Sequence, residues 1–255
     1  MKFKIFTAIV LVSSSILAFA ANNPGRGRMP EWAKPIKATD VVLGKKITAR
    51  GKPANPRKPS HPSLVSAATG ELGGEPFNGT KYAIIIGIAD YPGTANDLNY
   101  SDDDADYMED VLYYYGITAY TKIQNSDATG QAIIDAFEEA AAYDEVVFYY
   151  SGHGVNGIAD DGDREKKDEG IVLWENGTDE GGYSFIWDGQ LKQAFQDLRI
   201  SGVQRIVCIF DTCYSGGMIS DLSGVADVIL TSTTENNLAY ELSTIGAGEF
   251  TYYLT

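Results

Sequence analysis

From Lys81 onward the chain alternates short apolar runs with longer amphipathic stretches. Tyr82–Ala89 is an almost unbroken apolar run, the pattern of a strand buried on both faces. Ser101 to Tyr115 sets Ala105, Met108, Leu112 and Tyr115 at helical spacing and predicts a first helix. Ile117–Ile123 reads as a second strand, and 127–142 as a second helix burying Ile133, Ile134 and Phe137. Glu145–Tyr150 is a third strand. After a polar loop comes a short strand at Gly170–Trp174, then a helix from about Trp187 burying Leu191, Phe195 and Leu198. A fourth long strand starts at Ile206 and ends at Cys213, and Val225–Ser232 is a further one. Strands alternating with helices predict an α/β fold with a mostly parallel sheet. No G-x-G-x-x-G follows the first strand, which disfavours a dinucleotide site.

Two of these strands end in small-residue turns that carry reactive side chains. Tyr149-Tyr150-Ser151-Gly152-His153-Gly154 closes the third strand, and Asp211-Thr212-Cys213-Tyr214-Ser215-Gly216-Gly217 closes the fourth. In an open parallel sheet the carboxyl ends of the strands share one rim, where ligands bind. A histidine and a cysteine on that rim can form a thiol nucleophile and its base. The only other histidine, His61, sits in a Pro-rich stretch, and the other cysteine, Cys208, lies inside an apolar run as core. The two cysteines are five residues apart along a mostly extended segment, roughly 16 Å at the usual rise, too far for a disulfide. Both thiols are expected to be free.

Strand-Ser-Gly-His-Gly followed by strand-Asp-x-Cys-x-Ser-Gly resembles the caspase-like cysteine peptidases, and among them the metacaspase type. The resemblance runs from about Lys81 to the chain end. It implies a caspase-like α/β/α sandwich, with His153 and Cys213 catalytic and the backbone amides of Gly154 and Cys213 as oxyanion donors. Asp211-Thr212 stands where caspases carry Gln-Ala, which argues against cleavage after aspartate. Asp211 and Asp104 match the pocket acids of metacaspases, implying cleavage after Arg or Lys by charge pairing. Asp104 has a second reading, since Ser101-x-x-Asp104 resembles a helix capping box. Alternatives are a catalytically silent binding module and a legumain- or clostripain-like specificity.

The dyad chemistry requires no cofactor. The acid-rich loop 160–169 invites calcium, although its spacing is not an EF-hand. By resemblance to calcium-regulated metacaspases the ligand candidates are Asp168, Asp188 and Asp221. The same loop offers Arg164, Lys166 and Lys167 as self-cleavage sites.

Charge and the N-terminus complete the expectations. Residues 1–75 hold 12 Lys and Arg against 4 Asp and Glu, leaving 8 against 31 for the rest. So acidic a body disfavours nucleic acid and suits a cationic peptide or protein substrate. Lys2 and Lys4, an apolar core from Ile5 to Leu17 and Ala18-Phe19-Ala20 form an export signal over residues 1–20. A secreted or cell-envelope protein follows, with no stable membrane insertion after signal cleavage. Residues 21–76 are Pro-rich and basic, a linker or pro-segment in which Val41–Ala49 could form a hairpin. Such a segment is either a solvated tail or an inhibitory peptide across the acidic catalytic face. Charge runs are usually solvated, so a tail is expected. Residues 77–255 form the peptidase domain. Its end, Glu249–Thr255, reads as an amphipathic helix that stops abruptly, so the domain is expected to be truncated there.

Overall fold

The computed structural model describes residues 30–34, 36, 38–49, 77–159, 167–176 and 183–255. The export signal, the middle of the acid-rich loop and most of the Pro-rich segment lie outside these residues. The core is a five-stranded, all-parallel sheet in the order β10-β9-β5-β3-β4. Its strands are β3 (Lys81–Gly87), β4 (Ala119–Gln124), β5 (Glu145–Ser151), β9 (Arg205–Asp211) and β10 (Val228–Thr231). Helices cover both faces. On one side lie α1 (Ser101–Tyr114) and α5 (Glu249–Leu254), and on the other α2 (Gly130–Ala140), α3 (Asp188–Ser201) and the short α4 (Met218–Leu222).

The apolar runs sort themselves by the two-residue period of a strand. Ile84, Ile86, Val146, Phe148, Ile206 and Phe210 face α2 and α3 in the larger core cluster. Ala83, Ile85, Val147, Tyr149 and Ile209 face α1 with Ala105, Met108 and Leu112 in the smaller one. Phe148 is fully buried at the centre of the larger cluster, its ring 5.6–5.8 Å from those of Phe137, Phe195 and Phe210.

A four-stranded antiparallel sheet, β1-β6-β7-β8, stands at the carboxyl rim. It consists of β1 (Ala38–Gly44), β6 (Gly154–Ala159), β7 (Asp168–Asn176) and β8 (Tyr183–Trp187). A smaller sheet joins β2 (Ile47–Ala49), β11 (Tyr240–Leu242) and β12 (Ala247–Gly248). Two expectations change here. The Val41–Ala49 hairpin does not form, because β1 pairs with β6 while β2 pairs with β11. Nor is this stretch a solvated tail. Trp32 is buried against Phe137 at 5.2 Å, and Gln190 donates to the carbonyls of Trp32 (2.6 Å) and Lys34 (3.0 Å). The fourth long strand also ends earlier than expected, at Asp211, so Cys213 lies two residues beyond it. Among the described residues no helix is long and apolar enough to cross a membrane.

Replacing Phe148 by Ala removes the ring that three others pack on. The expected loss is about 3–5 kcal/mol of unfolding free energy in urea titration. A loss under about 1 kcal/mol would mean that this face is not the main core.

Candidate active site at the carboxyl rim

Register puts the reactive residues side by side. Gly87, Ser151 and Asp211 are aligned across the ends of β3, β5 and β9. His153 and Cys213 each lie two residues past the Ser151–Asp211 pair. The structure therefore brings the expected dyad to one place, with both side chains buried. Both cysteines are free, and Cys208 is core as expected. Tyr214, immediately after the thiol, adopts φ 64°, a left-handed conformation that costs energy outside glycine and turns the chain sharply there.

Aromatic residues position the imidazole. Tyr91 stacks on it with centroids 4.4 Å apart and accepts from the His153 N–H at 2.9 Å. The Tyr150 hydroxyl reaches the His153 carbonyl at 2.7 Å. The ring nitrogens face backbone carbonyls, Nδ1 that of Gly44 at 3.2 Å and Nε2 that of Asn96 at 2.6 Å. Cys213 Sγ accepts from Ala239 N–H at 3.3 Å. Among the described residues no hydrogen bond joins imidazole to thiol. Burial lowers the His153 pKa to about 4, against the pull of the two carbonyls. Burial pushes the Cys213 thiol up to about 11, opposed by the Ala239 N–H and the charge of Lys46. Both groups are thus neutral at pH 7 in this state.

Gly154 must be glycine, because a Cβ there would run into the Cys213 carbonyl. The backbone after His153 therefore packs directly on the backbone of the thiol residue, where oxyanion donors are needed.

The two expected pocket acids meet beside this dyad. Asp104 and Asp211 are both fully buried. Asp104 Oδ1 accepts from Gly248 N–H at 2.8 Å, and its Oδ2 from Ser151 Oγ at 2.8 Å. Asp211 Oδ2 accepts from Thr251 N–H (3.1 Å) and Thr251 Oγ1 (2.7 Å). Asp104 Oδ2, Asp211 Oδ1 and Ser151 Oγ converge on one cation, the Lys46 ammonium. Nζ lies 3.2 Å from Asp211 Oδ1, 3.5 Å from Asp104 Oδ2 and 2.8 Å from Ser151 Oγ, with its side chain fully buried. Burial and the neighbouring Asp211 raise Asp104 to about 7, although Lys46 pulls the other way. Burial works against the Lys46 charge, yet the surrounding carboxylates carry its pKa above the usual lysine value.

The capping-box reading of Asp104 does not hold. Tyr100 is the N-cap of α1 and makes no side-chain cap, and Ser101 Oγ finds no hydrogen-bond partner among the described residues. The Asp104 carboxylate instead turns to Ser151, Gly248 and Lys46.

The calcium candidates are buried and each has a partner within the protein. Asp168 Oδ2 accepts from Ala159 N–H (2.7 Å), Asp188 Oδ2 from Glu169 N–H (3.1 Å), and Asp221 Oδ1 pairs with Lys192 (3.2 Å). Among the described residues no three His, Cys, Asp or Glu side chains are grouped to hold a metal ion. Within the described residues Asp168, Asp188 and Asp221 are therefore not grouped as a metal site.

Several residues of the site were not expected. Lys46 and Gly44 arrive from the basic segment, and Thr251 from the last helix. Glu241 accepts from the N–H groups of Asn99 (3.1 Å) and Tyr100 (3.0 Å), fixing the start of α1 and so the place of Asp104. Only Ser151 carried a usable signal, as the strand-end partner of Asp211.

The buried neutral histidine has a pH signature. An unfolded chain protonates His153 near pH 6.5, whereas the folded chain resists until about pH 4. Its contribution to stability is complete above 6.5 and is lost as pH falls through 4. The stability advantage of the wild type over His153→Gln should therefore shrink by roughly 2–3 kcal/mol between pH 7 and pH 4. A constant difference in urea unfolding across that range would contradict the buried neutral state.

Comparison with known proteins agrees with this geometry. A family model described as Caspase domain matches residues 80–255. Metacaspase-4 of Arabidopsis thaliana is 31% identical over 158 residues, covering 56% of this chain and 35% of the plant protein. The chain thus spans about a third of that relative's length. A parallel sheet with helices on both faces, a Cys and a His at its carboxyl rim and a family match over well over half its length make this chain a member of the caspase-domain peptidase family.

Proposed function

We propose that the chain is a secreted cysteine endopeptidase that cuts peptide bonds after Lys or Arg. The observation that carries the specificity is the Lys46 ammonium held between Asp104, Asp211 and Ser151, next to Cys213. A dry pocket that solvates one ammonium with two carboxylates and a hydroxyl suits a basic substrate side chain and repels an acidic one. An Arg guanidinium could bridge both carboxylates.

The chemistry follows from the rim. With substrate in place His153 takes the Cys213 proton, and the thiolate attacks the carbonyl carbon. The oxyanion accepts from the backbone N–H groups of Gly154 and Cys213. His153 then gives its proton to the leaving amine. A water, deprotonated by the same ring, hydrolyses the thioester and restores the thiol. No cofactor enters these steps. Export rests on the signal-like residues 1–20.

Fluorogenic peptides ending in Arg, Lys, Asp or Asn test this reading, assayed with calcium and with chelator. Hydrolysis after Arg and Lys is expected, and Cys213→Ala should abolish it. Preferential cleavage after Asp or Asn would overturn the pocket assignment. Asp211→Asn leaves a buried cation poorly paired and should lower kcat/KM for basic substrates by roughly 10²–10³-fold. An effect below about threefold would place the specificity elsewhere.

A further inference from the structure

The turn that carries the nucleophile is held from outside by the chain that follows β10. Ser232 is the first residue past that strand, and its N–H still donates to the Phe210 carbonyl at 2.9 Å. There the backbone ladder stops and the side chain takes over. Ser232 Oγ accepts from the Thr212 N–H at 3.0 Å and donates to the Thr212 carbonyl at 3.1 Å. Further along the same loop, the Asn237 carbonyl accepts from the Tyr214 N–H at 2.9 Å, and the Ala239 N–H reaches Cys213 Sγ. Gly216 packs so closely on this loop that a Cβ there would fall 2.6 Å from Thr234 Cα.

One of these contacts bears on the chemistry itself. The Thr212 carbonyl and the Cys213 N–H belong to the same peptide group. A trans peptide is planar, with its C=O and N–H pointing in opposite directions. Whatever fixes the direction of the Thr212 carbonyl therefore fixes the direction of the Cys213 N–H. Among the described residues no oxygen accepts from that N–H, which leaves it for an oxyanion. The hydroxyl of Thr212 does not do the aligning, because it is buried without a hydrogen-bond partner among the described residues. Ser232 has a single hydroxyl proton to give. The Thr212 carbonyl is its near acceptor, whereas Ser215 Oγ lies 3.5 Å away and itself accepts from the Thr233 N–H. A carbonyl that accepts a hydrogen bond also polarises its peptide and strengthens the N–H as a donor.

We infer that Ser232 is a positioning residue of the catalytic centre: its hydroxyl sets the plane of the Thr212–Cys213 peptide and so aims the Cys213 N–H at the oxyanion. The inference rests on the proposed reading of the rim as a cysteine peptidase with that N–H in its oxyanion hole. Ser232 acts through the backbone and needs no contact with substrate. Hydrogen bonds weaken steeply as the donor angle closes, so a peptide free to rock gives up much of its hold on the oxyanion. The effect falls on the step that creates an oxyanion and leaves substrate binding alone.

The test uses the whole chain as wild type, Ser232→Ala and Ser232→Thr, the last keeping the hydroxyl. Three readouts are taken: kcat and KM on an Arg-ended fluorogenic peptide, acylation of Cys213 by p-nitrophenyl acetate, and alkylation of Cys213 by iodoacetamide. Attack on the ester passes through an oxyanion before nitrophenolate leaves, whereas attack on iodoacetamide displaces iodide and forms none. Both modifications are counted by intact mass on chains whose buried Cys208 stays unmodified, so unfolded molecules drop out. Ser232→Ala is expected to lower kcat and ester acylation by about 10- to 100-fold, with KM and alkylation within about twofold. Ser232→Thr should recover both rates to within about threefold of wild type. An unchanged ratio of acylation to alkylation in Ser232→Ala would overturn the role, and a parallel fall in both would reduce the serine to a brace for the turn. A selective loss of acylation in a chain whose wild type cuts no basic peptide would support Ser232 and refute the proposed specificity instead.

Discussion

The ammonium of Lys46 between Asp104 and Asp211 is the contact on which the rest of this site depends. Two carboxylates and a lysine withdrawn from water are expensive unless each charge is paired and each remaining oxygen is bonded. The fold meets that demand from four directions. β5 and β9 end in register and set Ser151 beside Asp211. The start of α1, held by Glu241, supplies Asp104. The turn into α5 brings Gly248 and Thr251 to the outer oxygens of the two acids. The N-terminal segment brings the cation. Even so, Asp104 stays reluctant to ionise, with its pKa near 7, because one ammonium serves two buried carboxylates.

The same dense packing sets the protonation of the two residues at the rim. His153 and Cys213 stand at matching positions beyond their strands, yet each bonds to backbone rather than to the other. Dry packing drives the imidazole pKa down and the thiol pKa up, so both are neutral and chemically quiet.

Much of this was legible in the sequence, for identifiable reasons. Buried parallel strands are continuous apolar runs, so β3, β5 and β9 stood out and pointed to the rim. His153 and Cys213 were legible because each follows such a run among small residues. The strands β6 and β8 were not expected, because Gly154–Ala159 carries glycines at 154 and 157 and Tyr183–Trp187 runs straight into a helix at Asp188. The described part of the N-terminal segment, residues 30–34, 36 and 38–49, was misread for a different reason. Its lysines and prolines have the composition of a solvated tail, and composition cannot reveal that Lys46 faces two buried acids about 58 and 165 residues further along. Asp104 was placed in the pocket by resemblance, whereas the local pattern Ser101-x-x-Asp104 argued for a cap. Tertiary pairing with Lys46, Ser151 and Gly248 overrode that local preference.

The most direct test is a crystal structure of the Cys213→Ala chain with a bound Arg-ended peptide. The guanidinium is expected between Asp104 and Asp211, with Lys46 displaced from the pocket and the peptide's last carbonyl carbon over residue 213. A peptide bound elsewhere, with the Lys46 ammonium still between the two carboxylates, would contradict the account.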